Sequence, residues 1–132
     1  MTDIAAVPES HLDLTRHQVG VLSTVGPSGR PQSTAVWFML DDDGVVRTSL
    51  LDARQKYKNI VAHPKATLFV MDAQNPYRTL EMRCDVTVED DPDLVMFERI
   101  VRAYGQDPET FAAPKEGRVA VSFIPRHVVA QG

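Results

Sequence analysis

From Tyr77 to Glu89, apolar and polar positions alternate around Leu80, Met82, Cys84, Val86 and Val88. A two-residue period sends successive side chains to opposite faces, so this stretch predicts a long half-buried strand. Runs rich in β-branched and aromatic residues predict further strands over Val19–Val25, Gln32–Leu40, Val45–Ser49, Ala66–Met71 and Arg118–Ile124. A short last piece, His127–Ala130, follows Pro125. Turn chemistry separates them. Gly26-Pro27-Ser28-Gly29 and Gln74-Asn75-Pro76 break the chain, and Asp41-Asp42-Asp43-Gly44 carries the Asp-Gly signal of a hairpin.

Three segments lack that period. Pro8-Glu9-Ser10 starts a short helix through about Arg16, with Leu12 and Leu14 apolar. Asp52 is a candidate N-cap for a helix over 53–62 that ends at His63-Pro64. Asp91 caps a helix through Tyr104, with Pro92 at its first position and Leu94, Phe97, Val101 and Tyr104 as the inward stripe. Gly105 ends it. Six or so antiparallel strands with few, short helices predict a mainly β (α+β) fold, a closed or split antiparallel β-barrel of six strands. No linker divides the chain. Residues 1–132 read as one domain, with 1–8 as a flexible N-terminal arm.

Composition narrows the function classes. With 132 residues the chain builds one modest core. A net charge of −4 disfavours general nucleic-acid binding, which needs a basic domain. The single cysteine, Cys84, rules out an internal disulfide framework and suits a reducing cytoplasm. It sits within an apolar period and reads as inert packing. No window approaches the ~18 apolar residues of a membrane span, and Met1-Thr2-Asp3-Ile4 does not open like a signal peptide. His11, His17, His63 and His127 lack metal-site spacing. Asp41-Asp42-Asp43 reads as a solvated turn rather than a calcium loop. Trp37 reads as a core or dimer anchor.

One stretch carries chemistry. After an apolar run come Thr48 and Ser49, a helix start, and then Arg54, Lys56 and Lys58, three cations in five residues. Hydroxyls beside a helix start and a lysine suit a bound anion. In an acidic chain this local cluster points to a phosphorylated small molecule. Lys56 reads either as a phosphate ligand or as a solvated helix lysine. Thr48 and Ser49 read either as its partners or as ordinary strand-end residues. Arg54 and Lys58, four apart, either steer an anionic tail or are solvated. No Ser-His-Asp set, carboxylate pair or Walker loop appears, which fits a function whose chemistry a cofactor carries.

Several phrases in order bear a resemblance: Gly20-Val21-Leu22-Ser23-Thr24, Gly29-Arg30-Pro31-Gln32, Arg54-Gln55-Lys56-Tyr57-Lys58-Asn59, His63-Pro64-Lys65-Ala66, Arg118-Val119-Ala120-Val121 and Pro125-Arg126-His127-Val128. Over roughly residues 12–130 the chain resembles the split-barrel flavin/deazaflavin oxidoreductases, the superfamily of pyridoxamine 5′-phosphate oxidase. It looks closest to the actinobacterial branch that uses the deazaflavin coenzyme F420. The resemblance implies a homodimer with two cofactor sites at the subunit interface. It implies that Gln32, Ser33 and Val36 on the second strand face the ring. It puts Thr48, Ser49 and Lys56 at the cofactor phosphate, and Tyr77 and Arg78 near the ring from the partner subunit. The pyridoxamine oxidase branch carries a cation on its second strand. Here Thr34 and Ala35 occupy that stretch and Met39 ends it, a departure that favours the deazaflavin branch.

The expected function is therefore a cytoplasmic F420-dependent reductase. It would transfer a hydride from reduced deazaflavin to an electron-poor small molecule such as a quinone, enone or tetrapyrrole. The alternatives are an FMN-binding protein of the pyridoxamine oxidase type and a non-catalytic flavin or haem carrier.

Overall fold

The computed structural model describes residues 4–16 and 18–132. Six strands make the fold: β1 (Val19–Val25), β2 (Pro31–Leu40), β3 (Val46–Leu51), β4 (Lys65–Asp72), β5 (Asn75–Asp90) and β6 (Arg118–Gln131). They pair antiparallel in the order β1-β2-β3-β6-β5-β4, and β4 returns to β1 to close the barrel. Helix α1 (Gln55–Ala62) lies between β3 and β4, and α2 (Val95–Ala103) between β5 and β6. A 3₁₀ helix, Glu9–Thr15, precedes β1. No helix among the described residues is long and apolar enough to cross a membrane.

The two-residue period does what it predicts. Leu22, Phe38, Val46, Leu50, Leu68, Val70, Leu80, Met82, Val121 and Phe123 point inward and are buried. Gly20 belongs to that inward row. A Cβ there would lie 2.9 Å from Leu68 Cδ1 and 3.0 Å from Phe38 Cε1, so only glycine leaves room for those two side chains. Cys84 is inert packing as expected, since burial first and Asp85 second push its thiol up to about 12.

Several expectations need correction. The last strand and the piece after Pro125 are one element. Arg83 faces His127 and Cys84 faces Pro125, so Arg126 is an extra residue in a bulge, where a proline is tolerated. Of the N-terminal arm, residues 1–3 lie outside the described residues, as does His17. The remainder is tied down: the Ala5 N–H donates to the Pro125 carbonyl at 2.8 Å and Val7 packs on the core.

Asp52 does not cap α1. Arg54 holds that position with no side-chain bond. The Asp52 N–H instead donates to the Gly117 carbonyl at 2.9 Å. Asp91 does cap α2, but across a gap: its carboxylate accepts from the N–H groups of Val95, Met96 and Phe97 at 2.9, 3.0 and 3.1 Å. The helix therefore starts three residues later than the proline suggests. Leu94 leaves the inward stripe for a left-handed conformation with φ 61°, and Met96 and Ile100 join Phe97 and Val101 inside. Asp41 is no solvated turn residue either. It is buried beneath Arg47, at 2.6 Å, and Arg99. Burial pushes its carboxyl up, but the Asp42 N–H and both arginines outweigh that and hold it below the ordinary value.

Candidate functional site

Between α2 and the outer side of β2 and β3 lies a cleft of about 480 Å³. Its lining has two parts, which meet where Arg118 lies over Phe97. One is aromatic and aliphatic: Trp37, Phe111, Phe97, Val19, Ile100 and Val101. The other holds Ser49, Lys56 and Arg118.

The aromatic part is built by stacking. Trp37 lies parallel to Tyr104 with ring centroids 4.6 Å apart and meets Phe111 at 5.2 Å. Phe111 in turn approaches Phe97 at 6.4 Å. Tyr104 fixes the arrangement through its hydroxyl, which accepts the Phe38 N–H at 3.0 Å and lies 2.6 Å from the Gln18 and Phe38 carbonyls. Trp37 is thus a half-buried wall of the cleft and not a core residue.

The polar part is cationic. Lys56 Nζ donates to Thr34 Oγ1 at 3.3 Å. Arg118 Nη1 reaches Ser49 Oγ at 3.5 Å, its Nε donates to the Pro114 carbonyl at 2.9 Å, and its guanidinium lies 4.6 Å above the Phe97 ring. Among the described residues, no carboxylate forms an ion pair with Lys56, Arg118 or Arg54. Burial, then repulsion from Arg54 and Arg118, disfavours charge on Lys56. Burial and Arg54 do the same to Arg118. Partly desolvated cations without an internal counter-ion favour an anion from outside.

The expected site residues fare unevenly. Ser49, Lys56 and Val36 line the cleft. Arg54 is exposed and adds its field to the cationic part. Thr48 does not reach it, because alternation along β3 turns it inward, where it is fully buried and donates to the Trp37 carbonyl at 2.6 Å. Gln32 and Ser33 point opposite ways for the same reason. Gln32 accepts from Asn59 Nδ2 at 3.0 Å, while the Ser33 hydroxyl bonds Ser23 at 2.8 Å on the outer face. Lys58 lines a different groove, with Val25, Pro27 and Ala62. Tyr77 is 85% exposed at the start of β5 and does not line the cleft of its own chain. Arg78 is held by Asp13 at 2.6 Å and Asp72 at 3.1 Å. Arg118 is the residue that sequence reading left out of the site. Its only local signal is that it opens a strand; the β3–β6 pairing of Leu51 with Arg118 brings it to the cleft. No group of His, Cys, Asp or Glu among the described residues is arranged to hold a metal.

The barrel defines a class, a closed antiparallel split barrel with a cleft at its side. Comparison with known proteins bears on that fold. The family model for pyridoxamine 5′-phosphate oxidase matches residues 7–131, and the chain belongs to that family. A solved F420 reductase is 36% identical, with a TM-score of 0.83, 93% of this chain and 98% of that one being covered. The conserved hypothetical protein Rv2991 from Mycobacterium tuberculosis is 20% identical, with a TM-score of 0.77 over 99% of this chain and 88% of that one. General Stress Protein 26 from Bacillus anthracis, 18% identical with a TM-score of 0.65 over 89% and 87%, shares the fold. No curated protein matches. Family and first neighbour support an oxidoreductase-type protein with a flavin-type cofactor.

Proposed function

We propose that the chain is an F420-dependent reductase passing a hydride from reduced deazaflavin to an electron-poor small molecule. The observation that carries this is the cleft itself, which joins apolar and aromatic residues to cations that no described carboxylate pairs with. The cofactor supplies the hydride; the protein supplies placement and exclusion of water. In this reading Ser49 and Lys56 bind the phosphate, and Val36 and Trp37 bound the ring site. Exposed Arg54, beside them, attracts the glutamyl tail that F420 has and FMN lacks. A 36% identical F420 reductase supports the choice of cofactor. FMN is the second reading, favoured by membership in the pyridoxamine 5′-phosphate oxidase family.

A homodimer in the cytoplasm completes the proposal. The outer face of β1, β2 and β4 pairs Val21 with Ala35 and Phe69, and Ser23 with Ser33 and Thr67. It carries exposed Val19, Val21 and Met71. A second copy would cover the apolar and hydroxyl-bearing part of this face, which borders Lys65 on β4 and Glu81 and Arg83 on β5, and exposed Tyr77 would be available to the partner's site. The test is titration of the purified protein with F420 and with FMN, then spectroscopic assay of reduced F420 with a quinone acceptor. Tighter binding of F420, weakened by Arg54→Ala but not by Lys58→Ala, is expected. Binding of FMN alone would favour the second reading, and binding without turnover a carrier. Sedimentation as a monomer at micromolar concentration would remove the dimer.

A further inference from the structure

We infer that Arg118 is a second phosphate ligand, and that Phe97 is the positioning residue that holds its guanidinium toward the cleft. The inference rests on the anion-binding reading of the cleft. Arg118 has five N–H donors. Nε is committed to the Pro114 carbonyl at 2.9 Å, and Nη1 has one long contact to Ser49 Oγ at 3.5 Å. Among the described residues the remaining donors meet no acceptor.

The plane of the group is nevertheless held. One face lies 4.6 Å over Phe97, which α2 buries, and one edge is pinned by Pro114. What remains is Nη2 and the rest of Nη1, which lies beside Ser49 on the same cleft as Lys56; Arg118 also borders a groove with Asp52, Asp90 and Glu116, but among the described residues none of these pairs with it. A pre-oriented guanidinium edge beside a hydroxyl and an ammonium matches the tetrahedral oxygens of a phosphate ester. A purely structural arginine would be expected to pair with a carboxylate, as Arg47, Arg78 and Arg99 do here. The packing also joins two segments to the anion. Phe97 belongs to α2 and Pro114 to the connection before β6, so the phosphate site depends on both.

FMN and riboflavin, which differ only in the phosphate, separate the anion from the ring. Inorganic phosphate followed by thermal melting gives a readout independent of any flavin. Wild type is expected to bind FMN more tightly than riboflavin and to gain stability with phosphate. Arg118→Gln should weaken FMN about 10- to 100-fold and leave riboflavin unchanged; Arg118→Lys should recover only part. Phe97→Leu should weaken FMN in the wild-type background and add little when Arg118→Gln is already present, while Phe97→Tyr, which keeps the ring face, should bind as wild type.

FMN affinity unaltered by Arg118→Gln overturns the inference and leaves the cofactor reading standing, whether or not Phe97→Leu folds. Independent, additive effects of the two substitutions overturn the positioning role of Phe97. If phosphate stabilises wild type but not Arg118→Gln, and neither FMN nor F420 binds, the inference stands and the cofactor reading falls. No response to phosphate, FMN or F420 overturns both.

Discussion

Strand β3 carries a knot of cations at each end, and the two are handled in opposite ways. Near its start, Arg47 and Arg99 converge on Asp41, and Asp43 takes the other side of Arg47 at 2.8 Å. Past its end, Lys56, Arg118 and exposed Arg54 converge on no described carboxylate. Both knots are partly withdrawn from water, where charge is costly. In the first the chain provides the counter-ion, so the arginines tie the β2–β3 hairpin to α2. In the second it provides hydroxyls and an aromatic face, but among the described residues no carboxylate within ion-pair distance. The paired knot reads as architecture, and the unpaired one is where the proposed function puts the cofactor phosphate.

The comparison breaks most visibly if the paired knot proves dispensable. Asp41→Ala removes the carboxylate that Arg47 and Arg99 share, leaving Arg47 with exposed Asp43 and Arg99 with a long contact to Asp42 at 3.4 Å. Removing one partner of a buried pair costs ~3–5 kcal/mol, and here, with both arginines reaching water, about 2 kcal/mol is expected. That is a fall in Tm of roughly 6–10 °C for a domain of this size. Flavin binding to the folded variant should be nearly unaltered. A Tm within a degree of wild type would remove the architectural role.

The unpaired knot predicts a smaller effect of opposite sign. Lys56→Met removes a half-buried charge that lacks a counter-ion, so without ligand the variant should be more stable than wild type, by roughly 0.5–1 kcal/mol. It should also lose the stabilisation that phosphate gives. The pH dependence follows from the direction of each shift. The folded-state pKa of Lys56 lies below the ordinary 10.5, so its charged form is penalised on folding. The penalty is complete below the folded pKa and is relieved as pH rises through it. The advantage of Lys56→Met should therefore shrink in alkali. For Asp41 the folded value lies below the ordinary 3.8, so its stabilisation is present above that and is lost as pH falls through the folded pKa. The deficit of Asp41→Ala should shrink in acid. Chemical denaturation across the pH range checks both, and an Asp41→Ala deficit that instead closed in alkali would reverse the assignment.

How much of this was legible in the sequence depends on whether the information is local. The bounds of β1 and the burial of Leu80, Met82, Cys84 and Val86 follow from period and composition alone. So does the choice of Ser49 and Lys56, because a strand end and a helix start lie a few residues apart. Facing direction is legible too, since strict alternation means that Thr48 and Ser49, or Gln32 and Ser33, cannot share a face. Arg118 was not legible. Only the ladder from Val46–Phe123 to Leu51–Arg118 brings it beside Ser49, across a sequence gap that no local pattern spans. The depth of Asp41 is of the same kind, since Arg99 arrives from a helix far along the chain. The bulge at Arg126 defeats a proline rule that holds for regular strands.

Salt gives the finest test, because it acts on both knots at once and in opposite directions. Screening shortens from about 10 Å at 0.1 M to about 3 Å at 1 M ionic strength. In the cleft the interaction among Lys56, Arg54 and Arg118 is repulsive, so sodium chloride should stabilise the ligand-free protein there. At the hairpin the attraction of Asp41 and Asp43 for the arginines outweighs the repulsion between cations, so salt should weaken that knot. In wild type the two contributions oppose each other and the net slope of Tm against salt should be small. The substitutions separate them. Without Lys56 the repulsive part is reduced, and Lys56→Met should gain less from salt than wild type. Without Asp41 a pair of like charges replaces a bridged one, and Asp41→Ala should gain more. Each difference should be a few tenths of a kcal/mol, typical of partly exposed charges. Chloride is the right anion because it screens without presenting the tetrahedral oxygens that sulfate or phosphate would bring to Ser49 and Arg118. If both substitutions move the slope the same way, salt is acting on the surface as a whole, and the contrast between a paired and an unpaired knot does not govern the stability of this fold.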